Sequence, residues 1–501
     1  MAMDFKHAGG SNQITGMPPA MKPEDRVPAV IKLAWSSGAV FENVMVNAVS
    51  AWVNLIFNLG FLINPIWLGW GQTIPRLLDA ILDPLYGYWS DNTQTRWGRR
   101  RPWMLGSAIF GAIVFVLLWF PSAAWSPVQI FLWFLVFSIL CYQAYGIFAI
   151  SYNALGMELT PDYNERTRVQ AWRFVFLTLS GLMLNAAYKM SFLPLFAIGK
   201  PEQTDHPEIY GIRGVALLFS LIILLCALAP VIFCRERKVA PVSGGGLGGK
   251  AGQEKIKLGA AFRFTLGNRV FIHYLAILAC GLLGALVLPF HNYLVIYHVC
   301  GGNKVLGGTY LLANATVSTV LGIASVPLIN WIATRYGKIA MLSLGQALLI
   351  PGALLTWWLF NPAVPWLFMI YNLVAAMSLG GLLMLYNSVL VDICDLDEIK
   401  TRQRREGMYG AVTAVAIKTI FSISTVLVGY LLVWAGFNEK LGVQTVETLS
   451  KLRFMVAVCP AFMAVCAVVL LWKFPLTKAR ALAVRSELEA RRGALHEVET
   501  T

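Results

Sequence analysis

Long apolar runs separated by short polar loops set the pattern of this chain. Runs of roughly 20 residues or more, enough to cross a bilayer as a helix, recur twelve times. They fall near 35–61, 67–89, 103–120, 128–157, 169–188, 214–234, 271–297, 306–330, 339–360, 365–391, 407–435 and 454–473. The longest polar interval, rich in Gly and charge, falls after the sixth run. The pattern predicts a tail over 1–34, a six-helix bundle over 35–234, a linker over 235–270 with a short surface helix, a second bundle over 271–473 and a tail over 474–501. "GGGLGG" at 244–249 follows no predicted strand and lacks the Gly-Lys-Ser/Thr of a phosphate loop, so it reads as flexible linker.

Composition sharpens this picture. Of 501 residues, 57% are hydrophobic and 13% charged, against about 25% charged in a soluble domain. Mean hydropathy is +0.63. A polytopic membrane protein follows. The net charge of +14 raises the question of nucleic acid, which the distribution answers. Loops after even-numbered spans hold twenty Lys and Arg, the opposite loops seven, the tails ten, and span interiors three. Positive residues stay inside, so even loops and both termini are expected in the cytoplasm, with the chain in the inner membrane. The positive charge reports topology, and no nucleic-acid partner is expected. Eight scattered Cys without a Cys-x-x-Cys spacing read as small core residues. No basic start with an apolar run behind it suggests a cleaved leader.

The halves share a weak repeat. "DNTQTRWGRRR" follows span 2 and "ATRYGK" follows span 8, each an Arg-aromatic-Gly-basic turn. Asp91, Arg96, Gly98, Arg335 and Gly337 are therefore expected to form a cytoplasmic gate. Two related halves place a transport site between them, near mid-membrane.

Charges inside lipid are expensive. Six lie within the spans: Glu42, Asp79, Asp83, Arg76, Arg173 and Lys418. Asp79 and Asp83 stand at i and i+4, on one face of span 2. Asp79 lies roughly 15 Å in from the end near Trp89, and Lys418 roughly 18 Å into span 11. Two such carboxylates share a proton or hold a small cation. Lys418 is expected to neutralise them when that cation is gone, with Arg76 as a second coupling group. Glu42, Asn43, Tyr152, Asn153, Asn372, Tyr386 and Asn387 are candidates for lining a cavity, while His291 reads as an interfacial residue.

"RLLDAILDPLYGYWSDNTQTRWGRRRPW" (76–103), "YNALGMELTPDYNERTRVQAWRF" (152–174) and "DICDLDEIKTRQRREGMYGAVTAVAIK" (392–418) resemble the major facilitator superfamily. More narrowly, they resemble the glycoside–pentoside–hexuronide:cation symporters, the family of the melibiose carrier. The resemblance implies an all-α membrane protein with twelve transmembrane helices in two pseudo-symmetric six-helix bundles. It implies that Asp79 and Asp83 bind the cation, that Lys418 couples, and that Arg173 belongs to the substrate pocket together with Asn43. Departures accompany it. Leu82, Gly146 and Ala149 stand where relatives carry Asn, a hydroxyl and Asp, and Asn153 replaces a Trp. With oxygen ligands lost, proton coupling is favoured over sodium.

The expectation is a non-enzymatic secondary symporter that works by alternating access. A proton or sodium would bind at Asp79/Asp83. A small polar solute, a sugar, glycoside or uronide, would bind near Glu42, Asn43, Tyr152, Asn153 and Arg173. No cofactor or metal site is expected, the only partners are substrate and bilayer, and the chain is expected to be monomeric. The rivals are a lysolipid carrier of the same fold and an uncoupled facilitator or sensor.

Overall fold

The computed structural model describes residues 26–160, 162–199, 206–234, 236, 265–284, 288–379, 382–402, 405–484 and 486–488. Most of both predicted tails and of the predicted linker, including 244–249, lies outside them. Among the described residues the regular structure is all helical: α1 Ala29–Val53, α2 Pro65–Asn92, α3 Arg101–Leu118, α4 Pro127–Glu158, α5 Tyr163–Met190, α6 Glu208–Phe233, α7 Arg269–Leu283, α8 Leu288–Tyr293, α9 Lys304–Tyr336, α10 Lys338–Leu359, α11 Tyr371–Leu379, α12 Leu382–Thr401, α13 Glu406–Trp434 and α14 Val446–Trp472. They make twelve spans, the seventh built from α7 and α8 and the tenth from α11 and α12. Among the described residues, eight helices are long and apolar enough to cross a membrane. The charged α2 and α5, together with α7–α8 and α11–α12, complete the set.

Local chemistry sets the ends. Ser126 and Gln129 form a reciprocal capping box around Pro127. Asn64, Asp162, Asn303 and Thr445 cap α2, α5, α9 and α14 with side-chain oxygens on the first-turn N–H groups. The first span starts at Ala29, six residues before its predicted start. Within that added stretch Lys32 pairs with the fully buried Glu165 at 2.6 Å.

Two apolar cores organise the bundle. One runs through the N-terminal helices and on into Leu294, Ile296, Leu432, Phe437 and Leu452 of the C-terminal half. The other, around Phe271, Tyr274, Leu278, Ile393 and Tyr409, stays inside the C-terminal half. The first core joins the halves at the end opposite the basic loops. There Tyr293 donates to Asn58 Oδ1 at 2.8 Å and Thr73 donates to the Ser422 carbonyl at 2.9 Å.

Small residues make that seam tight. A Cβ at Gly69 would stand 2.8 Å from the Thr425 carbonyl oxygen, and one at Gly429 2.6 Å from that of Pro65. Bare glycines therefore bring the α2 and α13 backbones together, close enough for a lysine on α13 to reach carboxylates on α2.

Candidate functional site

Lys418, on α13, bridges both acids of α2. Its ammonium donates to Asp79 Oδ2 at 2.8 Å and to Asp83 Oδ2 at 2.5 Å. The Asp79 side chain is 1% exposed, Asp83 35% and Lys418 24%. The i,i+4 stacking expected of the pair is thus realised, and the cluster spans the two halves. Two carboxylates and one ammonium leave a formal charge of −1, which a single further cation cancels.

Helix α4 closes the other side of this cluster. A Cβ on Gly146 would fall 2.4 Å from Asp79 Oδ1 and 3.4 Å from Asp83 Oδ1. Glycine is therefore the residue that lets both carboxylates lie against this helix. Asp79 Oδ1 is buried and has no hydrogen-bond partner among the described residues. Tyr86, one turn beyond Asp83, donates to Gln143 Oε1. Sequence reasoning did not single out Tyr86 or Gln143, because nothing in one dimension separates them from ordinary span residues.

Arg76 departs from expectation. It was read as a coupling group beside the acids, but its guanidinium hydrogen-bonds Ser50 Oγ and the Tyr142 hydroxyl, each at 3.2 Å. It also faces the rings of Tyr142 and Phe421 at 5.9 Å. One turn of helix separates Arg76 from Asp79, yet its hydrogen bonds run across to α1 and α4 through one terminal nitrogen, while the other, Nη1, is buried without a partner among the described residues.

The second cluster joins α1, α4 and α5. Arg173 pairs with Glu42 at 2.5 Å, and Asn153 donates to the other Glu42 oxygen at 3.2 Å. Asn43 donates to Ser180 Oγ at 2.7 Å and accepts from Asn47 at 2.5 Å. Glu42, Asn153 and Arg173 are thus brought together, while the bonds of Asn43 run to Ser180 on α5 and Asn47 on α1. Tyr152 is not part of that surface. It is fully buried, stacks on Trp35 with ring centres 5.0 Å apart, and donates to the Trp35 carbonyl at 2.9 Å. Its expected place in a substrate cavity is corrected to a core position beneath Arg173, whose guanidinium lies 5.7 Å over the Tyr152 ring. Gly146 and Asn153 lie seven residues apart on α4, so the two clusters are separated by roughly 10 Å along that helix.

Of the remaining candidates Asn387 is exposed and the others are buried. Asn372 donates to Asn314 at 2.7 Å, while Tyr386 is buried and bonds to the Ile277 carbonyl at 3.3 Å. His291 is buried against Phe360, Phe368 and Tyr371, not interfacial as expected, because these rings close over it.

The two repeated turns are alike in backbone. Gly98 has φ +103° and Gly337 φ +105°, the left-handed region that favours glycine. Both Arg99 and Arg100 reach Glu158, at 2.7 and 2.8 Å, and Arg100 also meets Asp91 at 3.5 Å. In the second half Lys338 meets Asp392 at 2.6 Å, and Lys478 donates to the carbonyls of Thr334 and Arg335. Arg335 lies over the rings of Trp331 and Tyr336. Arg96 is exposed. Each of these bonds ties a turn within its own half.

With this geometry in hand, similarity to known proteins can be stated. Residues 34–478 match the family model described as MFS/sugar transport protein. An uncharacterized symporter of Synechocystis is 26% identical over 84% of this chain and 90% of its own length. A putative glycoside/cation symporter of Escherichia coli is 25% identical over 84% of this chain and 86% of its own. Among solved structures, a bacterial homolog of the human lysosomal transporter Spinster, inward-facing and unoccupied, superposes with a TM-score of 0.63 at 16% identity. That match covers 94% of this chain and 98% of the other, and it shows a shared fold.

Proposed function

The chain belongs to the MFS/sugar transport protein family, a multi-pass membrane transporter and not an enzyme, and on that premise we propose that it is a proton-coupled symporter of a small anionic glycoside or uronide. The observation that carries the proposal is the Lys418 bridge to Asp79 and Asp83. A cation arriving at these carboxylates must displace the lysine, and the lysine belongs to the opposite half. Ion binding is thereby linked to the seam between the halves, which is what coupling requires.

A proton suits the pair better than sodium does. A proton needs one carboxylate, whereas sodium needs a shell of oxygens. Gly146, the residue facing both Oδ1 atoms, has no side chain to offer, and Leu82 beside them on α2 is apolar.

The solute class follows from the second cluster. Glu42 holds Arg173 as an internal carboxylate, and a carboxylate on the solute is an equivalent partner for the same guanidinium. Asn43, Asn47 and Asn153 add amide groups suited to hydroxyls. One chain contains both clusters, so a monomer suffices. Positive-inside bias puts the basic loops and both termini in the cytoplasm of a cell whose inner membrane holds the chain. Contacts between the halves gather at the end opposite the basic loops, and we infer an inward-facing arrangement from them.

Proteoliposomes with an imposed pH gradient test the proposal. They should accumulate a glucuronide or glycoside, and Asp79→Asn should abolish accumulation. Uptake of lysolipid in place of the glycosides would reassign the substrate. Accumulation that survives Asp79→Asn would overturn the coupling mechanism.

A further inference from the structure

At the sealed end, opposite the basic loops, a second ion pair crosses between the halves. Lys304, the first residue of α9, donates to Glu208 Oε1 at 2.7 Å, and Glu208 is the first residue of α6. The lysine also meets His206 Nδ1 at 2.9 Å and donates to the Leu59 carbonyl at 2.7 Å, beyond the end of α1. One C-terminal-half cation thus ties together two N-terminal-half elements. The Glu208 side chain is 0% exposed, and its second oxygen is buried with no hydrogen-bond partner among the described residues.

Two features set this pair apart from incidental packing. Lys304 sits at a helix N-terminus, where the peptide dipole disfavours a cation, so local helix stability does not account for it. Glu208 is placed in the favourable sense on its own helix, and the pair gains by reaching across the seam. The pair also borders a cavity of about 430 Å³ whose walls come from both halves, among them Phe192, Glu208, Tyr297, Lys304 and Glu439. At that volume, water can reach both charges as soon as they part.

We propose that Lys304 and Glu208 form the latch of the outer gate. Their contact holds the inward-open arrangement, and it must open, with the freed charges hydrated from the cavity, before the solute site can face outward. The proposal builds on the alternating-access reading above, but its test needs no substrate. Removing one partner of a largely buried ion pair strands the other, so the closed state is favoured while the pair is intact and is lost when either charge is removed.

Hydrogen–deuterium exchange of the full-length protein in lipid nanodiscs, without ligand, reads the two ends separately. Glu208→Gln and Lys304→Met should each speed exchange by about tenfold in peptides covering 58–63 and 304–311, the ratio given by ~1.4 kcal/mol. They should slow it in peptides covering 83–92, at the opposite end. The exchanged pair, Glu208→Lys with Lys304→Glu, should return both ends toward the parent. Unchanged exchange in both single variants overturns the latch. So does an equal rise at both ends, which would make the pair a general support of the fold. Failure here leaves the Asp79→Asn uptake test standing, and failure of that test leaves this one interpretable.

Discussion

Lys418→Gln is the most informative single change, because it separates competition from simple support. In the parent the ammonium donates to both carboxylates, at 2.8 and 2.5 Å, so an incoming cation must first displace it. Breaking a buried ion pair by deleting one partner costs about 3–5 kcal/mol. The lysine is 24% and Asp83 35% exposed, so solvent screening reduces this to about 2–3 kcal/mol. If Lys418 competes with the cation, that energy is returned to cation binding once the lysine is gone, and cation affinity rises roughly 30- to 150-fold. Thermal unfolding in nanodiscs, followed against sodium concentration and against pH, measures the change. The cation-free variant should melt below the parent. Saturating cation, at about 100 times its dissociation constant, should return ~2.7 kcal/mol. Concentrative uptake should fail, because cation binding no longer releases the other half. A variant that binds its cation no more tightly than the parent would refute the competition, however unstable it proved.

Other consequences are open to direct measurement. Gly146→Ala forces a methyl to within 2.4 Å of Asp79 Oδ1; it should cost about 1–3 kcal/mol, read as a lower melting temperature together with weakened cation binding. Glu42→Gln leaves Arg173 without its carboxylate and should raise affinity for an anionic solute while lowering thermal stability, which ligand-induced thermal shifts across neutral and acidic glycosides would show. Glu165 receives the Val27 N–H at 3.1 Å as well as Lys32 and Arg168. Glu165→Gln should therefore loosen the chain entering α1 and speed proteolysis near residues 26–32, with little effect on solute affinity.

The sequence exposed those features that carry an energetic penalty. Acids and bases within apolar runs are expensive, so Glu42, Asp79, Asp83, Arg173 and Lys418 stood out, and the structure brings them into two clusters. A turn that needs a left-handed residue leaves a glycine, so Gly98 and Gly337 were legible as a repeated pair. What stayed hidden was direction. Arg76 shares a helix with the acids, but its position along the chain does not tell that Ser50 and Tyr142 hold it. Tyr152 adjoins Asn153, yet one faces the core and the other Glu42. The Lys304–Glu208 pair is not legible in sequence, because both residues lie just outside the apolar runs, where a charge carries no penalty.

Among the described residues the cross-half ion pairs run in the same sense: the base comes from the C-terminal half and the acid from the N-terminal half, Lys418 to Asp79 and Asp83 and Lys304 to Glu208. A cation bound at the first pair cancels one attraction between the halves and leaves the other intact. Neutralising the acids should therefore harm the protein mainly by stranding Lys418, since an unpaired charge costs more than an absent pair. The double variant Asp79→Asn/Asp83→Asn should lose about 2–3 kcal/mol, and adding Lys418→Met should recover most of it. A melting-temperature cycle over the four forms decides the matter. If the triple variant is no more stable than the double, the acids support the fold by some contact other than the lysine, and the link between cation binding and the seam is lost.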